Sequence, residues 1–277
     1  MTSRTSQKTM GKGCSVVKAK IKHVKPKKKL GQHFLRRKEI AEKIVDSLQA
    51  TDKDTVVEVG AGTGELTRLI IKQAGKVVAV EVDETCFPTL QVLTDLHDNL
   101  ELFLEDVRKL NLADYGKALI LGNLPYHLSG EILFWLLGQR KYWRRAVLTV
   151  QAEFAARLAA EVGSHDYSAL SVIAQTFITT EKLFDIPAEA FVPPPKVKST
   201  TIRTEPLDEV ELPVSEDEFA GFVRSCFAHR RKRLANNLKM MGIPTPDKLL
   251  EELGHTPTVR PQELSAHNYV KLINAAR

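Results

Sequence analysis

An α/β protein built on a mostly parallel open sheet is the fold class this sequence predicts, and three features predict it. Short apolar runs with little polar alternation recur along the first 150 residues, longer segments of helical periodicity separate them, and a glycine-rich turn joins the first run to the helix behind it. Strands that are apolar on both faces belong to parallel sheets covered by helices on each side.

Taken in order, Ile40, Ile44, Val45 and Leu48 recur at helical spacing, so residues 37–49 read as an amphipathic helix. Thr51-Asp52-Lys53-Asp54 supplies a turn. Strands follow over residues 55–59, 76–82, 100–104, 118–121 and 146–150, with helices over 65–73, 85–96 and 130–137 between them. Beyond Arg203 the character changes: Pro206 and Pro213 bracket an acidic, turn-rich stretch. Phe219, Phe222, Val223, Cys226 and Phe227 then follow the spacing of a helix with one buried face. Residues 246–253 and 261–276 also read as helices, each opening with a proline suited to a first helical turn. The expected division is a basic tail over 1–29, an α/β domain over 30–204 and a small all-helical domain over 205–277.

A chain of 277 residues accommodates one large domain and a smaller one, each with its own core. No apolar run approaches the roughly eighteen residues needed to span a bilayer, so no membrane partner is expected. Cys14, Cys86 and Cys226 are widely separated and form no close pair of the metal or redox kind, which fits a reduced, cytoplasmic setting without a metal. The net charge of +6 is unevenly spread: residues 1–29 hold ten Lys or Arg and no acid, which leaves 30 basic against 34 acidic residues in the rest. A basic arm on a mildly acidic body attracts a polyanion, nucleic acid above all, although a solubilising tail has the same composition. A transit peptide would favour arginine, and here Arg4 stands alone among nine lysines.

The first strand runs into Glu58-Val59-Gly60-Ala61-Gly62-Thr63-Gly64. Glycines let a ligand approach the main chain, and the helix behind them offers unpaired N–H donors at the ligand-binding edge of an open sheet. Glu81 ends the second strand, where a carboxylate can hold both hydroxyls of a ribose. Asp106 follows the third, where one can accept from an adenine amine. A nicotinamide enzyme and a methyltransferase both fit this far. The dinucleotide fingerprint wants a small residue three after Gly62, and Glu65 holds that place, which favours a methyl donor.

The fourth strand delivers Gly122-Asn123-Leu124-Pro125-Tyr126 to the same edge. An adenine amine is a poor nucleophile because its lone pair is delocalised into the ring. An asparagine oxygen and a neighbouring backbone carbonyl that accept its two hydrogens would hold it in line with a methyl group. Pro125 stiffens the loop, and Tyr126 offers a face on which a flipped base can stack. A strand end with Tyr126 in the core explains the same residues.

With Gln32-His33-Phe34-Leu35, Phe191-Val192-Pro193-Pro194-Pro195-Lys196-Val197 and Phe227-Ala228-His229-Arg230-Arg231-Lys232 added, the chain resembles the small-subunit ribosomal RNA adenine dimethyltransferases from about Lys27 onward. The resemblance implies a Rossmann-like class I methyltransferase fold with a mostly parallel seven-stranded sheet and a helical C-terminal domain. It implies S-adenosylmethionine as cofactor and two adjacent adenosines of a 16S rRNA 3′-end hairpin as target, in the 30S subunit or its precursor, with the enzyme a monomer. Carried over to these positions, it puts His33, Leu35, Gly60, Gly62, Gly64, Glu81, Asp106 and Asn123 on the cofactor. Asn123, Leu124, Pro125, Tyr126 and Phe191 fall to the transfer site, with Phe191 a second aromatic wall beside the target base; from the sequence alone Phe191 reads equally as a hydrophobic anchor ahead of a rigid polyproline connector. His33 departs from the asparagine that many relatives carry. Large-subunit rRNA methylases share the catalytic core, but Leu124 and the helical domain with its 227–232 segment fit the small-subunit group better. A non-catalytic ribosome-assembly or mitochondrial transcription factor on the same fold would show damage in the cofactor motifs, and none is visible.

Arg224, Arg230, Arg231, Lys232, Arg233 and Lys239 fall in a stretch free of acidic residues, residues 219–246. Read as a helix, positions 230–233 rotate by about 100° each, so some must bury their stems. A charge run usually means a solvated face, but the missing acids and the adjoining Asn236 and Asn237 favour phosphate contacts.

Overall fold

The computed structural model describes residues 24–207 and 210–277. The basic arm and Cys14 therefore lie outside the described residues, apart from the last few positions of the arm. Among the described residues nine strands and ten α-helices follow one another: β1 (Phe34–Leu35), α1 (Lys38–Leu48), β2 (Thr55–Val59), α2 (Thr67–Ile70), β3 (Lys76–Glu81), α3 (Phe87–Thr94), β4 (Leu100–Leu104), β5 (Ala118–Asn123), α4 (Ser129–Gly138), β6 (Trp143–Gln151), α5 (Ala152–Leu158), α6 (Ala169–Phe177), β7 (Ile178–Ile186), β8 (Phe191–Val192), β9 (Ser199–Pro206), α7 (Glu216–Cys226), α8 (Leu234–Met240), α9 (Pro246–Glu252) and α10 (Ala266–Ala275).

Seven strands form one sheet in the order β4-β3-β2-β5-β6-β9-β7. The first five are parallel, and β9 runs antiparallel to both β6 and β7. Successive side chains of a strand point to opposite faces, which here divides the core in two. Val56, Val77, Ala79, Leu119, Leu121 and Val147 meet α1, α2 and α3 on one face. Val57, Val78, Val80, Ile120, Ala146 and Leu148 meet α4 to α6 on the other. Burial on both faces is why these strands read as unbroken apolar runs.

The sheet order reverses between β2 and β5, since β3 and β4 lie beyond β2 while β6 lies beyond β5. A crevice opens at such a point, outside the carboxyl ends of the strands. A small second sheet pairs β1 with β8, Phe34 opposite Val192 and Leu35 opposite Phe191.

Several expectations give way. The helix expected over 65–73 shrinks to α2, because Gly62 and Gly64 hold φ of +56° and +81° and the chain is still turning when it reaches Leu66. The helix expected from Pro261 splits into a 3₁₀ turn, Pro261–Glu263, and α10, which starts at Ala266 with the Ser265 hydroxyl accepting from the Asn268 N–H at 3.2 Å. Strands β7 and β9 carry no apolar run: β9 buries threonines instead, with Thr201 and Thr204 almost fully enclosed. The C-terminal helices do not enclose a core of their own. Phe219, Val223, Cys226, Leu238, Tyr269 and Leu272 are continuous with the side chains on the α4 to α6 face of the sheet.

Candidate active site

The carboxyl ends of β2, β3, β4 and β5 line a cleft of about 270 Å³ at the switch point. Apolar side chains of Val59, Val80, Val107, Leu124 and Ile132 form much of its wall. Gly60 and Gly62 form part of the floor with φ of +72° and +56°, where a side chain would be strained. Nothing lies closer than the Asn123 carbonyl, 4.0 Å away, to a Cβ placed on Gly60. A side chain there would enter the cleft. Gly64 makes the turn but does not line the cleft; its Cβ would press on Leu90 and Leu93 at 3.1–3.2 Å.

Glu81 sits at the end of β3 and is 5% exposed. Its Oε2 accepts from the Gly62 N–H at 2.7 Å, and its Oε1 from the N–H groups of Asp83 and Val82 at 2.8 and 3.0 Å. Burial raises its pKa, and the three backbone donors pull against that rise. The carboxylate is thus fixed in direction before any ligand arrives. Asp106, past the end of β4, lines the cleft and shares both oxygens with the Arg108 guanidinium, which lowers its pKa. Arg108 also pairs with Glu131 in the first turn of α4. Sequence reasoning missed Arg108, whose only signal was its place two residues after Asp106.

Asn123 ends β5 and faces the same cleft. Its Nδ2 donates to the His33 carbonyl at 3.0 Å, so the nitrogen of the amide is engaged and the oxygen is its remaining acceptor. The Leu124 N–H donates to Thr149 O at 3.0 Å, tying the loop to β6. Pro125 O accepts from the Leu128 N–H at 3.0 Å and the Ser129 hydroxyl at 3.3 Å, which starts α4. The Tyr126 ring lines the cleft, stacks on His33 at 5.3 Å between centroids, and its hydroxyl meets Ser199 Oγ at 2.5 Å. His33 Nδ1 is 2.7 Å from Pro193 O. Leu30, Gly31, Gln32 and Phe34 join His33 on the cleft wall, although only His33 among these was singled out for the pocket.

Two expected site residues are elsewhere. Phe191 is 2% exposed, packs with the α1 to α3 face and does not line the cleft, as the hydrophobic-anchor reading expects. Leu35, paired with it across the β1–β8 ladder, is buried in the same cluster and does not line the cleft. In a two-residue strand the side chains alternate, and Phe34 takes the cleft side that Leu35 was expected to fill.

The basic stretch is rearranged too. α7 ends at Cys226 and α8 begins at Leu234, so residues 230–233 lie in a turn and not on a helix. Asn237 is buried: its Nδ2 caps Cys226 O at 2.8 Å and its Oδ1 is 3.2 Å from His229 Nδ1, so it holds the turn and faces no phosphate. Arg230 donates to the carbonyls of His165 and Ser164 at 2.6 and 3.1 Å. Arg233 lies 3.7 Å from Asp247, and Arg224 stands 5.8 Å over the Phe134 ring. Arg231, Lys232 and Lys239 are exposed.

A family model for ribosomal RNA adenine dimethylases matches residues 23–276 of the chain. The chain belongs to the ribosomal RNA adenine dimethylase family. Its relatives within that family include the ribosomal RNA small subunit methyltransferase A of Levilactobacillus brevis, 38% identical over 90% of this chain and 89% of the relative. That of Acidobacterium capsulatum is 41% identical over 78% of each. Among solved structures, a dimethyladenosine transferase from Plasmodium falciparum superposes with a TM-score of 0.78 at 27% identity, covering 87% of this chain and 96% of that one. The 23S rRNA methyltransferase ErmE superposes at 0.70 with 22% identity, over 87% of this chain and 98% of its own, a likeness of fold. No helix among the described residues is long and apolar enough to cross a membrane. Cys86 and Cys226 are free, and burial pushes both thiols up to about 12.

Proposed function

We propose that this dimethylase transfers methyl groups from S-adenosylmethionine to the exocyclic amines of two adjacent adenosines in a 16S rRNA 3′-end hairpin. Dimethyladenosines result during small-subunit biogenesis. In this reading the protein works as a monomer in the cytoplasm, on the 30S subunit or its precursor. The observation that carries it is Asn123 at the end of β5, in one cleft with Glu81 and Asp106. The names of the small-subunit relatives support the choice of rRNA.

The cleft fits the cofactor. Its apolar walls suit an adenine ring, the preset Glu81 carboxylate is an acceptor for a ribose diol, and Gly60 leaves open the space that a side chain would fill. When bound, S-adenosylmethionine supplies a methyl group on a sulfonium, an electrophile that needs no covalent enzyme intermediate. The protein's task is then to position the amine. Asn123 Oδ1 and the Leu124 carbonyl are the acceptors for its two hydrogens, since the Pro125 carbonyl is already engaged at the start of α4. The Tyr126 ring, fixed by Ser199 and His33, is the stacking surface for a base taken out of its helix. We further propose residues 30–204 as the methyltransferase part and the helical part, 205–277, as the RNA-binding part, where exposed Arg231, Lys232 and Lys239 meet phosphates.

The test is methyl transfer from labelled S-adenosylmethionine to unmethylated 30S particles and, separately, to protein-free 23S RNA, followed by nucleoside analysis. Dimethyladenosine confined to 16S rRNA is expected. Label in 23S RNA alone would move the protein to the large-subunit group, and no transfer to either would point to a non-catalytic assembly role.

A further inference from the structure

The chain ahead of β1 lies along the cleft, and its fastening is built on one residue that the chemistry above leaves unused. Asp83, two residues beyond Glu81, has a side chain with no exposed surface. Its Oδ1 accepts from Lys27 Nζ at 2.6 Å and from the Thr85 N–H and hydroxyl at 2.9 and 2.7 Å, and its Oδ2 accepts from Gln32 Nε2 at 2.7 Å. The Lys27 N–H closes the ring by donating to Gln32 Oε1 at 2.8 Å. Two of these partners are more than fifty residues away in sequence, so the carboxylate joins the strap to the sheet edge.

Both partners of the fastening, Asp83 and the strap, reach the site. Asp83 itself gives its backbone N–H to Glu81 Oε1. Past Gln32, the His33 carbonyl takes the Asn123 amide, and Gly31, Gln32, His33 and Phe34 form one wall of the cleft. Gly31 is held close: a Cβ there, at φ +59°, would lie 2.7 Å from the His127 ring. A buried carboxylate that satisfies two donors from a distant segment is costly to leave unpaired, which makes the fastening selective for one seating of the strap.

We propose that Asp83 is a positioning residue that fastens the strap of residues 24–35 over the cleft, so that the methyl-donor site is complete only when Lys27 and Gln32 both engage it. The inference rests on the methyl-donor reading of the cleft. It assigns to an otherwise unremarked carboxylate the link between the ribose end of the site, at Glu81, and the transfer end, at Asn123.

The experiment uses the full chain with S-adenosylhomocysteine as probe. Hydrogen exchange over residues 24–35 and the probe's Kd by calorimetry are measured for the unsubstituted protein, Asp83→Asn and Lys27→Met. Lys27 is half-exposed, so its substitution keeps the test alive if Asp83→Asn fails to fold. Exchange in the strap should rise at least tenfold in both variants, with Kd raised about tenfold for Asp83→Asn and about threefold for Lys27→Met. The Kd for 30S particles should stay within twofold of that of the unsubstituted protein. Unchanged strap exchange in Lys27→Met, or probe affinity kept despite a loosened strap, would overturn the proposal. Failure of the unsubstituted protein to bind the probe would instead overturn the reading of the cleft.

Discussion

The cleft at the switch point and the basic turn at 227–233 are built in opposite ways. In the cleft, Glu81 and Asn123 are aimed by backbone, Glu81 by three N–H groups and Asn123 by the His33 carbonyl, and the 124–126 loop is tied to β6. In the turn, the backbone is held by buried Asn237 while the long cations of Arg231 and Lys232 reach into solvent. A preorganised group loses its whole effect when removed, whereas one phosphate contact among several is a fraction of a sum. The contrast separates a region that must be right from one that need only be charged.

Substitutions can break that contrast, and the largest effect belongs to Asn123→Ala. Methyl transfer should fall by about 10²–10³ or more, the scale for losing one preorganised hydrogen-bonding group, while the protein stays folded, with a melting temperature close to that of the unsubstituted protein; transfer retained within tenfold would show that another group positions the amine. Next comes Glu81→Gln, which keeps the shape but replaces an acceptor pair by one acceptor. The cofactor Kd should rise roughly tenfold or more, read by calorimetry with RNA affinity as the control. In the turn, Arg231→Ala with Lys232→Ala should weaken binding to 30S particles only several-fold. It should lower the slope of log K against log salt by about 1.5, at 0.7–0.9 for each phosphate contact. An unchanged slope would remove those two residues from the interface. Shortening the chain by its first 25 residues should flatten the slope further without moving cofactor affinity.

An effect on stability and not on function concerns Glu58, at the foot of the glycine turn. It is 1% exposed, and Thr67 beside it offers its carboxyl only weak hydrogen bonding. Burial raises its pKa to about 8, with Glu81 adding to the rise. A carboxyl that holds its proton in the folded state stabilises most below its ordinary value near 4.5, and that contribution drains away as pH climbs to about 8. Glu58→Gln should therefore raise the melting temperature at pH 9 more than at pH 5. Equal gains at both would show that Glu58 does not titrate in this range.

What could be read in the sequence follows the same division. Strands β2, β3, β5 and β6 announced themselves because both of their faces are buried, and with the half-exposed edge strand β4 they gave the sheet edge that carries Gly60, Glu81, Asp106 and Asn123. Strands β7 and β9 did not, because threonine at Thr201 and Thr204 buries as well as valine there yet leaves no apolar run. The seating of Phe34 and not Leu35 in the cleft depends on a two-residue ladder with a segment some 157 positions away, which no local pattern encodes. Phe191, which the sequence left open between site wall and hydrophobic anchor, is buried by the same ladder. The turn at 230–233 was hidden by a helical spacing that fits Phe219 to Phe227 and simply stops, its end decided by the side chain of Asn237 from the next helix.

The position of β9 has a consequence for how the protein is made. It is the last strand in sequence but lies between β6 and β7, and it brings Ser199 to the Tyr126 hydroxyl. A chain growing from its amino terminus thus delivers β7 before the strand that gives β7 its place at the sheet edge. The tyrosine of the transfer site is likewise anchored only once residue 199 has emerged. An enzyme whose proposed substrate is the ribosome is, by the order of its own strands, unfinished for as long as most of it is still being synthesised by one.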